Sequence, residues 1–281
     1  MNSPPSLMVE ARRALLDALD ALADHRNCLV LVGAQAVYLR TANVDLSFSA
    51  SYTTDADLAI DPAALGDEPL LAEAMRSAGF ELTQPDRPGI WGKWVVVDGR
   101  DELVPVDLIV PEALAGPGRR GARLAGHGKR VAGRAVGLEA ALIDRAPMKI
   151  DSYDPADDRS AIVSVAGQVA LLVSKLHKVG ERAVEAGTRP DRLLVKDGAD
   201  IYRLMLSLDP STALERLGML LADPVAGGPT RTAVLYLDRL FAAPAGVGVQ
   251  LAVDGLATDV PADRVEAVCV GFARFVLRGL S

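Results

Sequence analysis

Asp55 and Asp57 stand two residues apart in the run Thr53-Thr54-Asp55-Ala56-Asp57-Leu58-Ala59-Ile60. Side chains alternate along a strand, so both carboxylates would project from one face, their Cα atoms roughly 7 Å apart. Like charges held that close repel unless a cation lies between them or one takes up a proton. A third acid, Asp107, interrupts the apolar run Val104-Pro105-Val106-Asp107-Leu108-Ile109-Val110. Buried carboxylates are rarely left unpaired, and two partners are open to this one. Arg100 would be a structural partner. A divalent cation shared with Asp55 and Asp57 would be a chemical one, if the two strands lie side by side. All-oxygen ligation of that kind suits Mg²⁺ or Mn²⁺.

Other residues point toward phosphate. Leu29-Val30-Leu31-Val32 reads as a short buried strand running into Gly33-Ala34-Gln35-Ala36 and a helix to Arg40. A glycine at such a junction lets backbone N–H groups approach an anion, and it equally serves a plain tight turn. Further on, Lys175, Lys178 and Arg182 form a basic stripe beside the apolar stripe of Val169, Leu172, Leu176 and Val179. In the next helix Asp197 and Asp200 share the stripe of Ile201, Leu204 and Leu208. Both carboxylates therefore face inward and need partners, which Lys175 or Lys178 can supply. Such a pair is either structural or fixes a lysine for contact with a polyphosphate. Between Glu112 and Glu139 there is no acid, while Arg119, Arg120, Arg123, Lys129, Arg130 and Arg134 are all basic. That segment is a solvated loop or a contact for a phosphate backbone.

The elements that must position these residues follow from periodicity. Met8, Ala11, Leu15, Leu19 and Leu22 give an amphipathic helix over 8–24. A polar loop over 42–53 leads to a strand over 54–60, stopped by Asp61-Pro62. A helix over 68–79 closes at Gly79. Strands over 91–97 and 103–110 flank the hairpin turn Asp98-Gly99-Arg100-Asp101. Trp91 and Trp94 read as core or edge packing, with stacking on a base as the alternative. Beyond about 160 the rhythm turns helical. Ser164 is the expected N-cap of a helix to Glu185, and helices follow over 193–208, 211–222, 229–242 and 262–278. The expectation is an α/β domain over 1–160 and a helical domain over 161–281.

Composition bounds the rest. The 281 residues are half hydrophobic, enough for a sizeable core, and the net charge of −7 argues against a protein that coats nucleic acid. Cys28 and Cys269 sit in apolar runs and read as buried thiols of a reducing compartment. The first residues, Met1-Asn2-Ser3-Pro4-Pro5, carry no signal-peptide pattern, and no apolar stretch is long enough to span a bilayer. A cytoplasmic location without a membrane partner is expected.

Taken in order, Val32-Gly33-Ala34-Gln35-Ala36, Thr53-Thr54-Asp55-Ala56-Asp57-Leu58, Lys175-Leu176 with Arg182, and Lys196-Asp197-Gly198-Ala199-Asp200-Ile201 resemble nucleotidyltransferases of the polymerase-β-like fold. The nearest resemblance is to the AbiEii-type toxin branch, with the related mycobacterial nucleotidyltransferase toxins. The resemblance implies a mixed-sheet nucleotidyltransferase domain followed by a mainly helical one that contributes Lys175 and Asp197 to the site. It implies Mg²⁺-dependent (or Mn²⁺-dependent) transfer of a nucleoside monophosphate from an NTP, with Asp55, Asp57 and Asp107 as metal ligands. Lys175 would contact phosphate with Asp197 as its paired acid, and Gly33, Ala34, Gln35, Thr54 and Lys178 complete the nucleotide-binding set. The implied partners are an RNA acceptor, tRNA first, touched by the 116–134 segment, and a cognate antitoxin protein. Where the family often has Gly-Ser or Gly-Gly, this chain has Gly33-Ala34, which keeps a backbone N–H without a hydroxyl and leaves room for Gln35 to take part. Two alternatives stand beside this reading: nucleotidylation of a small molecule such as an aminoglycoside, or of a protein, and a catalytically silent regulator that binds nucleotide or a partner. Phosphorylation of Thr53 or Thr54 would set negative charge against the carboxylates and repel NTP.

Overall fold

The computed structural model describes residues 6–42 and 53–281; the loop expected over 42–53 lies almost wholly outside the described residues, as do the first five. In chain order the elements are α1 (Ser6–Ala21), β1 (Leu29–Val32), α2 (Gly33–Arg40), β2 (Ala56–Ile60), α3 (Leu71–Ser77), β3 (Glu81–Leu82), β4 (Ile90–Val97), β5 (Arg100–Pro111), β6 (Gly133–Ala135), α4 (Glu139–Ile143), β7 (Arg145–Asp151) and β8 (Ser160–Ala166). Six helices follow: α5 (Gln168–Glu185), α6 (Val195–Ser207), α7 (Pro210–Ala222), α8 (Gly227–Phe241), α9 (Val247–Gly255) and α10 (Ala262–Leu280). Packing sorts the described residues into two units, 6–36 with 53–135 and 145–166, and 37–42 with 136–144 and 167–281. The chain is thus α/β with a mixed open sheet and a helical C-terminal region.

Unit 1 is built on an eight-stranded sheet in the order β3-β4-β5-β2-β1-β8-β7, with β6 also on β5. β1 is buried at all four positions, as a central strand covered on both faces must be. It runs antiparallel to β2 and parallel to β8, while β2 runs parallel to β5. β4 and β5 form a hairpin whose turn residues Asp98 and Gly99 have φ of 51° and 79°. Two consecutive positive φ values define the type I′ turn that matches strand twist. α1 packs against β2, β4, β5 and β8 through Ala11, Leu15, Ala18 and Leu19.

The expected N-cap at Ser164 is overturned. Ser160 to Ala166 alternate buried and exposed and form β8, because a period-two run beside β1 finds a ladder there. The helix begins at Gln168, and the Ala170 N–H donates to Asp144 Oδ2 at 3.1 Å. A carboxylate from the end of α4 therefore satisfies that first turn.

In unit 2, α6 lies against α9 at a glycine. A Cβ on Gly198 would meet the backbone N of Ala252 at 2.5 Å, so only glycine allows this approach. α7 carries its own cap, with Asp209 Oδ2 accepting from the Thr212 N–H at 2.8 Å. Among the described residues no helix is long and apolar enough to cross a membrane. Both thiols, Cys28 and Cys269, are buried and free, and burial pushes each up to about 12, with Asp61 adding to the effect at Cys28.

Candidate functional site

β2 lies between β1 and β5, and the register sets its acids. Asp57 stands opposite Val32 on β1 and opposite Asp107 on β5. Residues in register on neighbouring strands face the same side, so the two carboxylates rise side by side across one strand spacing, about 4.8 Å. Ala56, Leu58, Val106 and Leu108 are buried on the other side, while Asp57 and Asp107 are half-buried. Arg100, the structural partner considered for Asp107, lies seven residues away at the hairpin end, where it pairs with Val97.

Gly33 closes this arrangement. Its φ is +68°, and a Cβ there would lie 1.8 Å from Asp57 Oδ2. Glycine is required twice, for the left-handed backbone and for the carboxylate that occupies the space a side chain would fill. The anion admitted at this strand-to-helix turn is the protein's own Asp57.

Asp55 precedes β2. Its carbonyl accepts from Gln35 Nε2 at 3.1 Å, and its Oδ1 accepts from the Thr53 hydroxyl. Gln35 in turn accepts from Arg12 Nε at 3.0 Å, and Arg12 donates to the Asp151 carbonyl at 2.9 Å and to the Tyr153 hydroxyl at 2.7 Å. Arg12 and Gln35 are buried, and burial lowers the Arg12 pKa against the opposing pull of Tyr153. Two expectations are corrected here. Gln35 is a buried strut for the Asp55 backbone instead of a group turned out toward nucleotide. Thr53 is buried with its hydroxyl on Asp55, so it offers no exposed target for phosphorylation. Thr54 is half-exposed.

Among the described residues no group of three or more His, Cys, Asp or Glu is placed to hold a metal ion. The expected trio of Asp55, Asp57 and Asp107 is therefore not a ready cage. Asp57 and Asp107 share the register, whereas Asp55 sits outside the ladder with Thr53 on its carboxylate.

In unit 2 the inward-facing acids have the expected partner. Lys175 Nζ lies 3.0 Å from Asp197 Oδ1 and 2.5 Å from Asp200 Oδ2, with all three side chains buried. Lys178 Nζ is 3.1 Å from Asp197 Oδ1, and Arg182 Nη1 is 2.7 Å from Asp197 Oδ2. Burial alone would raise Asp197; the charges of Lys175, Lys178 and Arg182 outweigh it and bring the carboxyl down to about 2. Burial would likewise strip the Lys175 proton, and Asp200 and Asp197 hold it firmly on. Lys175 is thus an interior cation locked between two acids; the more exposed cations of this network are Lys178 and Arg182.

The basic segment is an ordered excursion of unit 1. Ala122, Leu124, Val131 and Ala132 are buried beneath it, while Arg119, Arg120, Arg123, Lys129 and Arg130 are exposed. Arg120 and Arg130 donate to the Asp86 and Pro85 carbonyls at 3.1 and 2.9 Å. Arg134 departs from the expected set: its side chain is buried and its Nε donates to the exposed Glu112 Oε2 at 2.6 Å. His127, within the segment, accepts the Leu71 N–H on Nδ1 at 3.1 Å and donates from Nε2 to the Gly66 carbonyl at 2.8 Å. Trp91 is buried with its indole N–H on the Val131 carbonyl, 2.9 Å away.

Arg12 is the participant that sequence reasoning missed. Its signal is a cation at i+4 from Met8 on the apolar stripe of α1, where an arginine must have an interior partner. Compared with protein-family models, curated proteins and solved structures, the chain matches none.

Proposed function

We propose that this chain is a Mg²⁺-dependent nucleotidyltransferase that moves a nucleoside monophosphate from an NTP to an RNA acceptor, tRNA first. The observation that carries the reading is Asp57 seated on Gly33 with Asp107 in register beside it, at a strand-to-helix turn. Mg²⁺ is commonly held by one or two carboxylates with phosphate oxygens and water completing its shell, and a half-exposed pair of this kind fits it. Asp57 and Asp107 would be its protein ligands. Once bound, the ion supplies charge neutralisation on the phosphates.

The chain's own groups do the rest. Gly33 leaves the space in which Asp57 is fixed, and Arg12 and Gln35 brace the backbone at Asp55. The acceptor hydroxyl oxygen bonds to the α-phosphorus as the bond to the bridging oxygen breaks. Pyrophosphate leaves with that electron pair, and Asp107 takes the hydroxyl proton. Arg119, Arg120, Arg123, Lys129 and Arg130 offer exposed cations for the RNA backbone. The resemblance to the AbiEii-type branch is the ground for reading the chain as a toxin with a cognate antitoxin.

Incubation with labelled NTPs, Mg²⁺ and total RNA tests the reading. Label should enter RNA with the wild type and stay out with Asp57→Asn. Label on small molecules or protein with RNA untouched would move the acceptor, and equal labelling by both chains would remove the chemistry.

A further inference from the structure

The face of the sheet that carries Asp57 and Asp107 continues along the β4–β5 hairpin. Residues opposite each other in a ladder, and residues two apart in one strand, share a face. Asp107 is opposite Ile90, Pro105 opposite Gly92, and Leu103 opposite Trp94. All six therefore lie on the side of the acids, while Trp91, Val104 and Val106 lie on the other and are buried. Exposure follows this division. Trp94 is 64% exposed, Val96 69% and Leu103 37%, and Pro105 is half-buried like Asp107.

No charged residue of β4 or β5 stands on this face between the acids and Trp94. Pro105 and Gly92 fill the interval. A Cβ on Gly92 would lie 2.5 Å from Thr83 Cγ2 and 2.7 Å from Leu103 Cδ1, so those side chains close over the glycine. The floor from carboxylates to indole is therefore low and apolar. Four residues separate Asp107 from Leu103, which sets the Trp94 Cα about 14 Å from that of Asp107, along the strand and one spacing across. Stacked rings hold their centroids about 4.5–7 Å apart, so a ring on the acid side of the indole lies about 7–10 Å from Asp107. A nucleotide whose phosphates sit at the acids carries its base about that far away, across one ribose.

We infer, on the nucleotidyl-transfer reading of Asp57 and Asp107, that Trp94 is the stacking platform for the base of the donor NTP, with Pro105 and Leu103 beneath the ribose and the base edge. An indole left in water contributes little to folding, because its area is not removed from solvent. A base laid on it removes that area and adds a stacking contact. Every base has a π-face, so this platform sets affinity for the nucleoside part and tolerates all four bases. Trp91 takes no part, being buried with its indole N–H on the Val131 carbonyl.

Trp94→Ala, at an exposed position, should raise the KM for the NTP about tenfold, the scale of base–aromatic stacking, with a smaller change in kcat. Trp94→Phe should recover part of that loss. Inorganic triphosphate has the phosphates and no base, so its inhibition constant should be the same for wild type and Trp94→Ala. Without RNA, titration with NTP and Mg²⁺ should quench the tryptophan emission of the wild type. It should leave Trp94→Phe, which keeps only the buried Trp91, unchanged. Transfer with a KM that Trp94→Ala does not move, or an equal loss of NTP and triphosphate affinity, would overturn the inference and leave the nucleotidyl-transfer reading standing. Quenching without transfer to any acceptor would uphold the platform and remove that reading. An NTP that neither quenches nor is transferred would remove both.

Discussion

Two pairs of aspartates are set close together in this chain, and their surroundings separate them. Asp197 and Asp200 in unit 2 are buried and share Lys175, with Lys178 and Arg182 also on Asp197. Asp57 and Asp107 in unit 1 are half-buried, stand in register on neighbouring strands, and lean on a glycine that has to be a glycine. A buried acid is tolerable only when the fold supplies its countercharge, and that countercharge then belongs to the fold. An acid pair within reach of solvent can exchange what neutralises it. The first arrangement holds helices in place, and on the proposed reading the second takes a ligand.

The largest effect should come from breaking the buried set. Lys175→Ala leaves two interior carboxylates without their central cation and should cost about 3–5 kcal/mol in urea unfolding. Replacing Lys175, Asp197 and Asp200 together by apolar residues should recover most of that loss. A stable Lys175→Ala chain that has lost only activity would erase the contrast and return Lys175 to the phosphate role implied by the resemblance.

Next in size is the opposite outcome in unit 1. Asp57→Asn should lower nucleotide transfer by more than about 100-fold, a scale that even outer partners of metal sites reach. Its unfolding free energy should stay within about 1 kcal/mol of the wild type, because the site is half-exposed. Gly33→Ala should lose activity as well, since its Cβ meets Asp57 Oδ2, and about 1–2 kcal/mol from the left-handed backbone.

Much of both regions was legible in the sequence, for reasons that differ. β1 and the β4–β5 hairpin follow from an all-apolar run and from Asp98-Gly99. The partnership of Lys175 with Asp197 and Asp200 follows from helical spacing, since acids on an apolar stripe must find a cation. The neighbourhood of Asp57 and Asp107 was conditional on strand order, which pairing across 50 residues decides and no local pattern encodes. Ser164 misled because a serine before an apolar run caps a helix only where no neighbouring strand claims the run, and β1 claims this one. Gln35 and Arg134 misled because local sequence does not say which polar groups the fold consumes: Arg12 takes the first and Glu112 the second.

Acid should separate the two pairs further. The Asp197 carboxyl sits at about 2, below its ordinary 3.8. A carboxyl lowered in the folded state contributes stability that is complete above its unfolded pKa and disappears as pH falls through the folded one. Helicity of unit 2 should therefore weaken between pH 4 and about 2, by about 2 kcal/mol for this group. Asp57→Asn should leave that acid limb where it is.

The smallest effect should fall on Lys178, the rim of the same network. Its side chain is 40% exposed and its ammonium lies 3.1 Å from Asp197 Oδ1. Removing it leaves Lys175 and Arg182 on the carboxylate, so Lys178→Ala should cost only about 0.2–1 kcal/mol at neutral pH. That loss should shrink further in high salt, which screens an exposed pair and scarcely touches a buried one. Lys178 nonetheless helps hold Asp197 down, so the acid limb of the variant should move to higher pH even where neutral stability hardly changes. A salt-insensitive loss of several kcal/mol, read by urea unfolding at two ionic strengths, would place Lys178 energetically with Lys175. The network would then have no solvent-facing rim, and its exposed cations would belong to the fold no less than its buried one.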